Sequence, residues 1–245
     1  NKMMSAFETE TGLGGMQVFS GYRDKADQDS RYEDGNTGFR GGYSDYHSGR
    51  SFNLKINFGD GTSDYYNAEK YSKYSWIAEH AAEYGFVVRY PDGKDEKTGE
   101  DSRTYTFRYV GVPHALYMQE HNLCLEEYID RVHSYSADNP LEITADGKTY
   151  QVFYVGIGGT KDVQVTIPSG TYTASGDNIS GYIVIANKTN ERPLLVSLVK
   201  LAAVFLCFEL WKTSLFTKKS FIFTDAFSYN QIESFVLQEK TKYII

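Results

Sequence analysis

Ser44 to Asn53 reads "SDYHSGRSFN" and runs without a break into "SFNLKINF", residues 51–58. The first half belongs to a segment rich in Gly, Tyr, Ser and Asp, Gly35 to Gly49, whose composition predicts a loop. The second half alternates apolar and polar side chains as a half-buried strand does, until "GDGTSD" turns the chain. The polar side chains of the stretch are therefore expected at a loop-to-strand junction.

Outward from this junction the pattern mixes helices and strands. "KMMSAFETETG" predicts a helix closed by Gly12, and the apolar run in "MQVFSGYR" predicts a buried strand ending in a turn. In "SKYSWIAEHAAEYG", Ile77, Ala81 and Tyr84 recur at helical spacing ahead of Gly85, so one amphipathic helix is expected. Strands "FVVRY" and "TFRYV" flank the charged excursion "PDGKDEKTGEDSR". Two helices follow, "VPHALYMQEH", with Pro113 suited to a first turn, and "CLEEYIDRVHSY". Beyond Pro140 the texture changes to short alternating runs punctuated by Asp-Gly, Pro-Ser-Gly and Ser-Gly, the pattern of a small all-β appendage docked on the first domain. "GIGG" at 156–159 lacks the strand-then-helix context of a phosphate loop and reads as a turn. The expected organisation is a domain over 1–137, a small β domain over 138–190 and an atypical tail over 191–245.

The tail is a different text. All 22 glycines lie at or before Gly181, whereas average usage near 7% would put about four or five in the remainder. The run "LLVSLVKLAAVFLCFELW", 194–211, is interrupted by Lys200 and Glu209, each of which costs about 2.5–3.5 kcal/mol at a bilayer centre. The reading is a tail outside the fold, with a membrane anchor at 194–211 as the alternative.

Composition narrows the classes of partner. The formal net charge of −7 argues against a phosphate backbone, since nucleic-acid binders carry basic patches. The 21 tyrosines suit grooves and binding faces. Two cysteines, Cys124 and Cys207, cannot build a zinc ribbon or a disulfide framework, and Cys124 reads as a small buried hydrophobe. No charged segment followed by an apolar stretch opens the chain at Asn1, so any export signal is expected outside this sequence.

Three polar clusters stand out: "SGYRDKADQ" (Ser20–Gln28), "SDYHSGRSFN" and "YTFRYVG" (Tyr105–Gly111). Their order and spacing, with "YGFVVRYPDGKDEKTG" before the third and "VPHALYMQEHNLCLEEYI" after it, resemble the VanY-like D-alanyl-D-alanine carboxypeptidases over about residues 3–135. These are zinc peptidases of the lysostaphin/hedgehog-like fold that trim bacterial cell-wall stem peptides. The resemblance implies an α+β fold, an antiparallel-sheet core with flanking helices, in an extracytoplasmic protein of the bacterial envelope. It also implies zinc as the family's cofactor and a cell-wall or D-Ala-D-Ala-like peptide as partner. Membrane contact is expected only through an unseen signal or the 194–211 segment.

Set against the family's Ser-x-His-x-x-Gly-x-Ala-x-Asp, this chain keeps Ser44 and Gly49 but has Tyr46 at the His and Asn53 at the Asp. Against Glu-x-Trp-His-Phe-Arg-Tyr-Val-Gly it has Arg103 at the general base, Tyr105 at the Trp and Thr106 at the last zinc-binding His. All four chemical positions are changed. A phenol, a neutral amide and a hydroxyl supply no anion and no imidazole at pH 7, and a guanidinium cannot accept a proton from water. No metal is therefore expected here and no catalytic residue is intact. A register shift by one residue to use His47 or Asp45 would turn the side chain the other way. What the resemblance retains is the binding frame, with Arg23, Gln28 and Ser44 at positions that line the cleft, and with Arg103 and Tyr105 beside them. Arg23 suits a peptide carboxylate because its planar fork makes two parallel charge-assisted bonds; a structural salt bridge is the plainer alternative. Arg103 would restore part of the positive charge that zinc supplied. The expected function is a family member that binds stem peptides without cutting them. The alternatives are a zinc carboxypeptidase with an altered ligand set and a protein-interaction module built on Tyr43–Tyr46 and Tyr65–Tyr74.

Overall fold

The structure, a computed structural model, describes residues 1–158, 162–167, 171–177, 179–188 and 194–199. In chain order its elements are α1 (Lys2–Thr11), β1 (Met16–Ser20), α2 (Lys25–Glu33), β2 (Ser51–Asn57), β3 (Ser63–Tyr65), α3 (Trp76–His80), β4 (Phe86–Tyr90), α4 (Asp95–Thr98), β5 (Arg103–Tyr109), α5 (Val112–Glu120) and α6 (Leu125–Val132). Six strands follow: β6 (Leu141–Ala145), β7 (Lys148–Gly156), β8 (Asp162–Ile167), β9 (Tyr172–Gly176), β10 (Gly181–Asn187) and β11 (Leu194–Val199).

The first sheet is antiparallel, in the order β1-β2-β5-β4, with β3 also paired to β2. Its central strand β2 reads buried on nearly alternate positions, and Leu54 and Ile56 reach a core with Phe7 of α1, Ile77 of α3 and Phe107 of β5. Helix α1 closes as expected, with Gly12 in the left-handed region at φ 69° and its N–H on Glu8 O. The second sheet runs β6-β7-β10-β9, and β8 pairs with β11. One hydrophobic cluster joins the two parts: Met118 of α5 and Tyr128 and Val132 of α6 pack with Val87 of β4 on one side and Leu141, Ile143 and Val152 of β6 and β7 on the other. Cys124 is fully buried as the N-cap residue of α6, where the Glu127 side chain accepts from its backbone N–H at 3.0 Å.

Four features differ from the sequence reading or were absent from it. Strand β1 is not buried: it is an edge strand of the sheet, its register shifted by an irregularity between Val18 and Ser20, and Val18 is 59% exposed. The single amphipathic helix over 72–84 is broken into a 3-10 turn, the five-residue α3 and a second 3-10 turn. The His80 ring nitrogen bonds the Trp76 carbonyl at 3.0 Å, competing for the acceptor a continuing helix would use. The third is α2, which the composition of "SGYRDKADQ" hides although Asp24 caps it by accepting from Asp27 N–H at 2.8 Å. The fourth lies in the tail, where the backbone of Leu194–Val199 pairs antiparallel with β8. Residues 200–245, including most of the candidate anchor, lie outside the described residues, and among those described no helix is long and apolar enough to cross a membrane.

Candidate functional site

The quoted stretch folds as a capped turn feeding a central strand. Ser44 accepts from Tyr46 N–H at 3.4 Å to start the 3-10 turn Asp45–Ser48, and Gly49 ends it at φ 66° with its N–H on Tyr46 O at 3.1 Å. This turn lays Tyr46 back over β2. Antiparallel pairing sets Asn53 of β2 directly opposite Thr106 of β5. The three side chains meet: Tyr46 Oη donates to Asn53 Oδ1 at 2.5 Å and Thr106 Oγ1 donates to the same oxygen at 3.0 Å. Thr106 and Asn53 are both buried.

The neighbours that a shifted register would recruit are engaged elsewhere. His47 accepts from Gly42 N–H at its Nε2 (2.8 Å), so its Nδ1 carries the proton and donates to Arg23 O at 2.8 Å. Neither ring nitrogen has a lone pair to offer. The Asp45 carboxylate is held in an ion network with Arg89 and with Arg108, the latter at 3.1 Å, and Arg89 also binds Glu126 of α6. Among the described residues no three His, Cys, Asp or Glu side chains are grouped to hold a metal ion. The donors that do converge are a phenol, an amide and a hydroxyl already bonded to one another, a set that does not fit zinc.

Above this trio opens a cavity of about 470 Å³ whose walls include Arg23, Ser44, Tyr46, Asn53, Arg103 and Tyr105. Arg23 stands just before α2. Its Nη2 donates to Ser20 Oγ at 2.7 Å, its Nη1 to Gln28 Oε1 at 3.3 Å, and its guanidinium carbon lies 4.2 Å from the Tyr46 ring centroid. Burial first, and then Arg31, lowers its pKa below the usual guanidinium range, but a guanidinium stays charged. Among the described residues it forms no ion pair, unlike Arg31, which bonds Asp27 at 3.0 Å on the same wall. Gln28 is fully buried and does not reach the cavity: its amide nitrogen donates to Phe39 O at 2.8 Å and Thr37 Oγ1 at 3.2 Å. It holds Arg23 in place and ties the 37–39 loop to α2.

One wall is aromatic. Tyr105 stacks on Tyr65 at 4.6 Å between centroids, and Tyr65 on Phe19 at 5.2 Å. Burial raises the Tyr105 pKa. Arg103 opens β5, opposite Tyr90 at the end of β4. Its Nη2 bonds Glu100 at 2.9 Å and its guanidinium lies 4.2 Å from the Tyr90 centroid. Tyr90 also lines the cavity, is 6% exposed, and has its pKa pushed up to about 12 by burial. Sequence reasoning missed Tyr90, whose apolar neighbours in "FVVRY" disguise it as one more core residue.

A family model described as VanY, D-alanyl-D-alanine carboxypeptidase, matches residues 1–112. These residues belong to the VanY family. The chain is 35% identical over 188 residues to a D-alanyl-D-alanine carboxypeptidase of Enterococcus faecium, an alignment covering 74% of this chain and 58% of that protein. It thus spans less than two thirds of this curated relative. Among solved structures, the vancomycin-resistance D,D-dipeptidase VanXYg in complex with a D-Ala-D-Ala phosphinate analogue is similar, with a TM-score of 0.64 at 27% identity, over 76% of this chain and 79% of that one. A mutant of the VanY D,D-pentapeptidase from the VanB-type resistance cassette, solved in complex with Zn(II), has a TM-score of 0.39 at 25% identity, over 51% of this chain and 78% of that one. The positions at which the resemblance would place zinc ligands hold Tyr46, Asn53 and Thr106.

Proposed function

We propose that this protein binds peptides ending in a free carboxylate, of the D-Ala-D-Ala type found in peptidoglycan stems, and does not hydrolyse them. The observation that carries the reading is Arg23: a partly buried guanidinium on the cavity wall, held by Ser20, Gln28 and the Tyr46 ring, with no carboxylate partner among the described residues. Charge-assisted bonds from its remaining N–H groups would fix a terminal carboxylate over the floor of the cavity. Hydrolysis would then need a proton acceptor and an electrophile near the scissile carbonyl. Arg103 cannot take a proton, and Tyr46, Asn53 and Thr106 form a closed hydrogen-bonded set. The likeness to VanXYg, solved with a D-Ala-D-Ala analogue, supports the ligand class. A protein with this ligand would work at the extracytoplasmic face of the bacterial envelope.

The test is calorimetric titration of acetyl-D-Ala-D-Ala and its C-terminal amide into the protein and into Arg23→Gln, with D-alanine release followed in parallel. Binding of the acid alone, weakened about tenfold or more in Arg23→Gln and without D-alanine release, is expected. Equal binding of acid and amide would remove the carboxylate reading, and release of D-alanine would remove the non-hydrolytic one.

A further inference from the structure

We propose that the cavity is selective for a ligand with two anionic groups, an acidic peptide, with Arg103 receiving the second charge. This rests on the reading of Arg23 as the first anion point. Among the described residues, Arg103 Nε is the buried side-chain polar atom with no hydrogen-bond partner. Leaving a buried donor unpaired costs about 1–3 kcal/mol, so the fold does not fully satisfy this guanidinium on the cavity wall.

The rest of the guanidinium is similarly under-used. Of its five N–H donors, the described residues engage one, on Nη2, which donates to Glu100. Glu100 lies three residues away on the connection between α4 and β5, and the pair is about a third exposed, so solvent competes with it. Tyr90, in contrast, fixes the guanidinium from below, being buried and directly across the ladder. Arg103 is thereby anchored at its face, while its Nη1 has no hydrogen-bond partner among the described residues.

The charges around the cavity agree with this. Asp27 is bonded to Arg31, and Asp45 to Arg89 and Arg108, so neither is ion-paired with Arg23 or Arg103, although the Asp27 charge still acts on Arg23. Arg103 is near enough that its charge contributes to lowering the Arg23 pKa. An anion bridging two mutually repelling cations relieves that repulsion, and a ligand with one carboxylate leaves it half in place. In a chain of formal net charge −7, this is a locally cationic recess.

Acetyl-D-Glu-D-Ala and acetyl-D-Gln-D-Ala, equal in shape and different in charge, are titrated into the protein, Arg103→Gln, Arg103→Lys and Glu100→Gln, each checked for a native circular dichroism spectrum. The Glu peptide is expected to bind about tenfold tighter than the Gln peptide. That ratio should fall to near one in Arg103→Gln, recover partly in Arg103→Lys and widen in Glu100→Gln. Measurable binding of the Gln peptide with a ratio near one, or an undiminished ratio in Arg103→Gln, overturns the proposal and leaves Arg23 standing. Failure of both peptides to bind overturns the Arg23 reading and this one together.

Discussion

Asn53 Oδ1 accepts two hydroxyl protons inside the fold, and that one atom cross-links the Ser44–Gly49 turn, β2 and β5. Asn53→Ala strands the buried Thr106 hydroxyl and frees Tyr46, so a stability loss of about 1–3 kcal/mol is expected, read as a lower urea midpoint at unchanged m. Tyr46→Phe removes one bond only and should cost about 1 kcal/mol. A gain-of-metal variant probes the same geometry. Because the three side chains converge, Tyr46→His, Asn53→Asp and Thr106→His made together with Arg103→Glu should bind one zinc per chain in competition with a chromophoric chelator, while each single change should not. A folded quadruple variant that leaves zinc with the chelator would mean that the positions do not meet as described. The resemblance implied this convergence, while the strand register that produces it, Asn53 opposite Thr106, is a property of the fold. The role of Gln28 was not legible in the sequence: a glutamine in a stretch as polar as "RDKADQDSR" gives no sign that it is fully buried and bonded back to Phe39 and Arg23.

At the scale of elements, helices α5 and α6 meet through His114, whose Nδ1 lies 2.5 Å from the Tyr128 hydroxyl. The residue keeps some exposed surface, yet its ring, set edge-on to Tyr128, is desolvated and its pKa falls to about 4. A histidine depressed in the folded state contributes stability that is complete above its unfolded value near 6.5 and is lost as pH falls toward 4. Stability is therefore expected to decline at up to about 1.4 kcal/mol per pH unit across that window, and His114→Gln should flatten this part of a urea-midpoint profile against pH. Asp177 acts lower. Burial favours its neutral form, but the N–H groups of Gly181, Ile179 and Ser180, with His133, outweigh that and hold its pKa below 3.8. Its contribution is present above that value and lost as pH drops beneath it. Apolar periodicity made α1, α5, α6 and β2 legible. It misled at β1, where an apolar run stands on an exposed edge, and at α3, where a histidine side chain takes a helix acceptor.

For the molecule as a whole, the cluster from Val87 through Met118 and Val132 to Val152 makes the first sheet, the helix pair and the second sheet share a core. Met118→Ala, at a position 1% exposed, should cost about 2–5 kcal/mol and lower the unfolding midpoint of both sheets together, as followed by amide exchange in β2 and in β7. Separate transitions would show two independent cores. The change of texture after Pro140 marked the second sheet, but nothing in the sequence showed that α5 and α6 are covered from both sides. The functional claim also belongs at this scale, since a VanY fold retains its cavity around a floor of neutral oxygens. Its most direct test is to purify the protein without chelator, add one equivalent of zinc, and measure bound metal together with D-alanine released from a stem pentapeptide. Peptide bound at the cavity with neither retained zinc nor free D-alanine is expected; one tightly held zinc per chain accompanied by turnover would contradict the account.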